Sequence, residues 1–161
     1  MNDVFSTPAI DGQLYHLGVA VRDIDVGMAT YRTLLGVPKF HRLDTNYQAR
    51  HREWEGTIAN RNAFGRWGSL VVELVEPGQG QGPAREFLDA RGEGVFHVGY
   101  ATDDPTQRPG GVEACFEVGS SLRPDGTYGI VYLDTLGALG FFLELVHTPM
   151  AQHVIALVDA L

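Results

Sequence analysis

Two stretches of this chain repeat one another. Tyr15-His-Leu-Gly-Val-Ala-Val-Arg-Asp23 superimposes on Phe96-His-Val-Gly-Tyr-Ala-Thr-Asp-Asp104 at an offset of 81 residues, and the His, Gly, Ala and final Asp coincide. A second pair, Glu73-Leu-Val75 and Glu144-Leu-Val146, repeats at an offset of 71. Self-similarity on this scale marks a duplicated structural unit whose copies share one core. The chain therefore reads as two βαβββ-type halves. The second half is ten residues shorter, about the length of a helix that finds no place after Asp103, where two prolines and two glycines crowd into residues 103–111.

Between the repeats, glycine and proline cut the chain into short segments, several alternating or rich in β-branched residues. Leu14 to Val21 is a strand with Tyr15, Leu17, Val19 and Val21 on one face and His16, Gly18 and Ala20 on the other, because side chains alternate along a strand. Asp25 to Leu35 reads as a helix, with Asp23 or Asp25 as N-cap, Gly36 as stop and Pro38 beyond it. Strands are expected over 39–43, 56–63, 69–76, 95–102, 111–118, 129–134 and 140–147. A loop is expected from Pro77 to Gly82, a short helix from Pro83 to Arg91, and an amphipathic helix from Met150 to Leu161. The fold class is α+β.

Composition closes off several functions. The 161 residues carry a net charge of −8, which repels nucleic acid and anionic membranes. The single cysteine, Cys115, has no internal disulfide partner, no basic segment followed by an apolar one opens the chain, and no apolar run reaches the roughly 18 residues of a membrane span. A cytoplasmic location is expected.

A Glu at the centre of VVELV or FFLEL is costly, since an unpaired buried carboxylate loses several kcal/mol of hydration. Both Glu73 and Glu144 need partners. Two His and two Glu at equivalent places in two halves, on faces relieved by Gly18, Ala20, Gly99 and Ala101, suit a divalent metal that neutralises both carboxylates. The alternative is a buried His–Glu hydrogen-bonded network without metal.

The stretches LYHLGVAVRDIDVGMATYRTLLGV, VELVEPGQGQGPAREFLDARGEGVFHVGYATDD and YLDTLGALGFFLELVH carry a family resemblance. From about Leu14 to Thr148 the chain resembles the vicinal oxygen chelate superfamily, also called the glyoxalase, bleomycin resistance and extradiol dioxygenase superfamily. The run from Val72 to Asp104 looks most like the methylmalonyl-CoA epimerases in its order of strand, Pro-containing loop, short helix, Arg-Gly-Glu-Gly and His-containing strand. The resemblance implies paired βαβββ modules forming a cupped mixed sheet around a metal site. Residues 1–161 are then one domain, with module one at about 14–92, module two at about 93–148 and a C-terminal helix at about 150–161. The resemblance makes His16, Glu73, His97 and Glu144 the metal ligands. Two features depart from the epimerase pattern, namely the missing helix of module two and the added C-terminal helix.

Four protein ligands on a six-coordinate ion (Co, Ni, Zn, Mn or Fe) leave two neighbouring positions for two vicinal substrate oxygens. The expected activity is that of a metal-dependent isomerase or epimerase that removes a proton alpha to a carbonyl, with an acyl-CoA thioester as a candidate substrate. Glu144 is the first candidate base and Glu73 the second. Glu53 and Glu55 are weaker ones, read first as solvated loop charges. Alternatives are a glyoxalase I-type lyase, an extradiol-type dioxygenase, against which the fourth ligand argues, and a non-catalytic sequestering protein. Arg50, Arg52, Arg61 and Arg66 are read first as surface charge and second as anchors for a substrate anion. Trp54, Phe64 and Trp67 are read first as core or contact residues and second as pocket lining. His51 and His147 have no repeat partner and stay outside the metal set. The expected partners are a small molecule and a second copy of the chain, as a homodimer.

Overall fold

In the computed structural model, residues 9–118 and 129–161 are described, so the very start of the chain, on which the expectation about export signals rests, lies partly outside them. The first repeat forms β1 (Gln13–Ala20), which leads into α1 (Ile24–Leu35). The expected alternation of β1 is broken by register shifts between Leu14 and His16 and between Gly18 and Val19, so Tyr15 packs apart from Val19 and Val21. The Asp23 side chain caps α1 by accepting from the backbone N–H groups of Asp25 and Val26, and Gly36 ends it at φ 69°. Then come β2 (Phe40–Arg42), β3 (Thr45–His51), β4 (Trp54–Trp67), β5 (Leu70–Gln79) and α2 (Pro83–Arg91). The second repeat opens with β6 (Gly94–Thr102) and continues through β7 (Ala114–Val118), β8 (Ile130–Leu133), the short α3 (Leu136–Leu139), β9 (Phe142–His147) and α4 (Thr148–Asp159). Where the first half has α1, the second has only turns and a single 3-10 turn at Pro109–Gly111, as the prolines and glycines there require.

The pairing repeats as the sequence does. In one half β1 runs parallel to β5, β5 antiparallel to β4, and β4 antiparallel to β3. In the other, β6 runs parallel to β9, β9 antiparallel to β8, and β8 antiparallel to β7. The halves meet antiparallel at β1–β6 and again at β3–β7, so eight strands close into a ring. Strand β2 lies on β4 as a short ninth strand.

Three elements differ from the sequence reading. Strand β3 occupies a stretch too polar to stand out as a strand, because Thr45, Tyr47, Ala49 and His51 alternate with exposed Asn46, Gln48 and Arg50. Strand β5 runs on through Pro77 and Gly78, where a loop was expected; Pro77 lies near the strand's end, beside a register shift at Ala59/Asn60. Helix α3 was not foreseen at all.

The helices cover the ring. Ala84, Phe87 and Leu88 of α2 pack into the cluster of Ala20, Ile58, Val75, Phe96, Phe116 and Phe142. Val154 and Val158 of α4 pack on Phe64 and Val71, and Ala151 on Tyr15 and Val146. Helix α4 thus lies over residues two positions before Glu73 and two after Glu144, on the faces those carboxylates share. No helix among the described residues is long and apolar enough to cross a membrane.

The β3–β4 turn is held by one side chain. Arg52 has φ 53°, in the left-handed region, and its guanidinium binds Glu86 of α2 (2.6 and 3.1 Å) and Asp134 after β8 (3.0 and 3.2 Å). Arg52→Ala and Arg52→Gly remove the same contacts, but only alanine keeps the cost of a Cβ at positive φ. We expect the glycine variant to be the more stable of the two by about 1 kcal/mol in denaturant unfolding.

Candidate metal centre

The four repeat residues come together. His16 on β1, Glu73 on β5, His97 on β6 and Glu144 on β9 are all at least nine-tenths buried, and one donor atom from each lies within 4.8 Å of the others. His16 Nε2 is 2.7 Å from His97 Nε2, and the two nitrogens lie 2.9 and 2.7 Å from Glu144 Oε2 and 3.4 and 3.3 Å from Glu73 Oε2.

Strand register produces this convergence. Gly18 stands opposite His97 and beside Glu73, while Gly99 stands opposite His16 and beside Glu144. Each imidazole lies across the other strand's glycine. A Cβ built on Gly18 would come within 1.9 Å of the His97 ring, and one on Gly99 within 1.8 Å of the His16 ring. The spacing His-x-Gly in each repeat is therefore a steric requirement of the opposite histidine.

The donor set fits a divalent ion. With bonds of about 2.1 Å, neighbouring ligands stand about 3 Å apart in an octahedral shell and about 3.4 Å in a tetrahedral one. The five separations, 2.7 to 3.4 Å, lie at or near those values. Two neutral imidazoles and two carboxylates also balance a double positive charge, and they are ligand types that Zn, Ni, Co, Mn and Fe accept. Without an ion the same balance is struck by protons. Burial works against a charged imidazole, but Glu144 and the hydrogen bonds to both carboxylates outweigh it, so His97 is raised to about 9 and His16 is raised as well. Burial likewise disfavours the ionised carboxyls, yet the two imidazoles hold Glu144 and Glu73 below the ordinary carboxylate range.

Around this cluster stand groups that the sequence reading missed. The Tyr132 hydroxyl lies 3.1 Å from His97 Nδ1, and Tyr132, Tyr47 and Glu144 line a partly open cavity of about 30 Å³ with Ile58, Val75, Phe96 and Phe116. Burial, then the charge of the two carboxylates, raises the phenols of Tyr15, Tyr47 and Tyr132, so all three stay protonated. The pairing of Tyr132 with Glu144 at the same strand position on β8 and β9 was the only sequence-level signal, and it needed the register to be read.

Other candidates lie elsewhere. Glu53 and Glu55 are exposed at the β3–β4 turn and on the outer face of β4. Arg50 pairs with Glu117, Arg52 with Glu86 and Asp134, Arg61 with Glu76 and Arg66 with Asp159, so the four arginines do not gather on one anion. Trp54 and Trp67 end the same long strand at opposite ends, and Phe64 packs under α4. His51 faces Phe116 and Glu86, and His147 ends β9.

A duplicated, ring-closed α+β sheet with a buried two-His, two-Glu cluster defines a class of protein, and sequence comparison places the chain within it. A model of the Glyoxalase/Bleomycin resistance protein/Dioxygenase superfamily matches residues 15–115, and the chain belongs to that superfamily. The uncharacterized protein YqjC of Bacillus subtilis (strain 168) is 30% identical over 88 residues, which are 55% of this chain and 56% of that one, so the chain spans little more than half the length of this curated relative. Methylmalonyl-CoA epimerase from Mycobacterium tuberculosis superimposes with a TM-score of 0.57 at 23% identity, over 92% of this chain and 97% of that chain. A hypothetical protein from Bacillus halodurans C-125 gives 0.56 at 23% identity, over 84% and 94%. At such identities these two structures share the fold.

Two outcomes test the centre. Gly18→Ala and Gly99→Ala each push an imidazole off its seat, so each should abolish uptake of Zn or Co in calorimetry while wild type binds about one ion per chain. In the metal-free protein the imidazole contribution to stability is full below 6.5 and lost as the pH rises through about 9, whereas the carboxyl contribution is full above 4.5 and lost on acidification. Thermal stability without metal should therefore peak between those two lower limits and decline toward pH 9. Metal affinity should rise over the same alkaline interval as the ion displaces protons.

Proposed function

We propose that the chain is a divalent-metal-dependent isomerase or epimerase acting on a small substrate that presents two neighbouring oxygens, one of them a carbonyl. The observation that carries this reading is the convergence of four buried donors beside a cavity that one of them, Glu144, lines. His16, Glu73, His97 and Glu144 would hold the ion. A divalent cation bound there polarises a carbonyl oxygen and so acidifies the adjacent C–H.

The remaining work falls to the chain's own groups. Among the four donors, Glu144 is the carboxylate that borders the cavity, which makes it the first candidate for the proton acceptor. Glu73 is absent from that cavity's lining and is assigned as a ligand first and as the second acid/base group after it. The neutral hydroxyls of Tyr47 and Tyr132 offer donors to an oxygen that gains charge, and Ile58, Phe96 and Phe116 keep water from the reacting carbon. The cavity beside Glu144, about 30 Å³, has room for roughly one or two water-sized groups. An acyl-CoA thioester is the finer assignment, supported by the run from Val72 to Asp104 and by the fold shared with the epimerases.

Neither half carries the set alone, since His16 and Glu73 come from one and His97 and Glu144 from the other. The two modules with their terminal helix are accordingly assigned to one functional domain. Assembly as a homodimer belongs to the same proposal.

The test is solvent exchange. Metal-loaded protein in deuterium oxide, incubated with methylmalonyl-CoA and simpler 2-substituted 3-oxo acids, should place deuterium at the carbon next to the carbonyl, read by mass spectrometry. Glu144→Gln should lower that rate by ~100-fold or more, with metal content measured alongside. No exchange by the loaded wild type on any of them, with a 2-hydroxy thioester formed instead from methylglyoxal and a thiol, would move the assignment to a lyase.

A further inference from the structure

The two halves do not treat their histidines alike. Tyr132 stands opposite Glu144 in the β8–β9 pairing, and Phe64 stands opposite Glu73 in the equivalent β4–β5 pairing. Directly opposed residues of antiparallel strands share a face, so these two aromatic residues hold matching places beside the two carboxylates. Only one of them carries a hydroxyl. That hydroxyl is 3.1 Å from His97 Nδ1, whereas His16 Nδ1 is buried without a hydrogen-bond partner among the described residues.

The nitrogen facing the other donors is Nε2 in both histidines. An imidazole that binds a cation through Nε2 as a neutral ligand keeps its one proton on Nδ1, and a group that accepts that proton fixes both tautomer and ring orientation. We propose that Tyr132 is the positioning residue of the centre: its oxygen accepts the Nδ1 proton of His97, commits Nε2 to the ion and makes His97 the anchored ligand, a hold that the Nδ1 side of His16 lacks among the described residues. This rests on the metal-centre reading given above.

The phenol is well placed for such a task. Its ring stacks on Phe96 at 6.2 Å between centroids and meets Phe116 and Phe142 edge to face at 5.3 and 6.1 Å. The hydroxyl is therefore held in place by rings that Tyr132→Phe leaves untouched. The variant gives the second half the chemistry that Phe64 already gives the first.

Zinc titration against a competing chelator, combined with proton–nitrogen spectra of the histidine rings, tests the assignment on the full chain. Zinc-loaded wild type should show a slowly exchanging ring N–H assigned to His97, and in Tyr132→Phe that same signal should exchange markedly faster while the one assigned to His16 is unchanged. Zinc affinity should fall by about tenfold or more, with the melting temperature of the metal-free variant close to that of wild type. Wild type that takes up no zinc would overturn the metal centre and this proposal with it. Wild type that binds, beside a variant that binds as tightly and keeps the protected proton, would overturn the role of Tyr132 alone. A variant that melts earlier without metal yet keeps its zinc affinity and its protected ring proton would also refute it, since that is the signature of packing.

Discussion

Each imidazole of the centre lies over the backbone of the opposite strand, and the rest of the structure is arranged around that crossing. For His16 to rest on Gly99 and His97 on Gly18, β1 and β6 must be antiparallel neighbours in a single register. The carboxylates then have one place each. Glu73 enters on β5 beside Gly18, in the row that also holds His97, and Glu144 enters on β9 beside Gly99, in the row of His16. Slipping either parallel pair by one residue would turn its Glu to the opposite face and leave the imidazoles with one counter-charge instead of two.

Charge neutrality explains why such a cluster can be buried at all. Two protons on the imidazoles, or one divalent cation with neutral imidazoles, balance the same two carboxylates. Exchange between the two states leaves the net charge of the interior unchanged. The desolvation penalty for the carboxylates, several kcal/mol each, is offset in both. The state with neither leaves two buried carboxylates uncompensated, which is why the imidazole and carboxyl shifts run in opposite directions.

The repeat, and with it the α+β class, the four converging residues and the missing second-half helix, was legible in the sequence because each rests on a local pattern: His-x-Gly, a mid-strand Glu, a cluster of prolines. What was not legible depends on register between distant strands. Strand β3 hides behind polar outward residues, and its three pairings with β7, which close the ring, leave no local mark. Tyr132 sits in an expected strand, GIVYLD, with no local mark of a role, and acquires meaning only opposite Glu144. The arginines looked like one cluster in sequence, yet alternation and the length of β4 send them to separate carboxylates.

Duplication supplied two equivalent carboxylates, and the surroundings have made them unequal. Glu73 shares its face with Phe64 and Val71, which α4 covers with Val154 and Val158, so its side of the centre is apolar and filled. Glu144 shares its face with Tyr132 and borders the cavity together with Tyr47, so its side is polar and has space beside it. A substrate approaching from the cavity meets Glu144 and two phenols before it meets any other ionisable group of the cluster. The terminal helix packs on Phe64 and Val71 of the first half and reaches the second at Val146. The cavity lies instead beside Glu144, so the proposed chemistry falls to the second half's carboxylate.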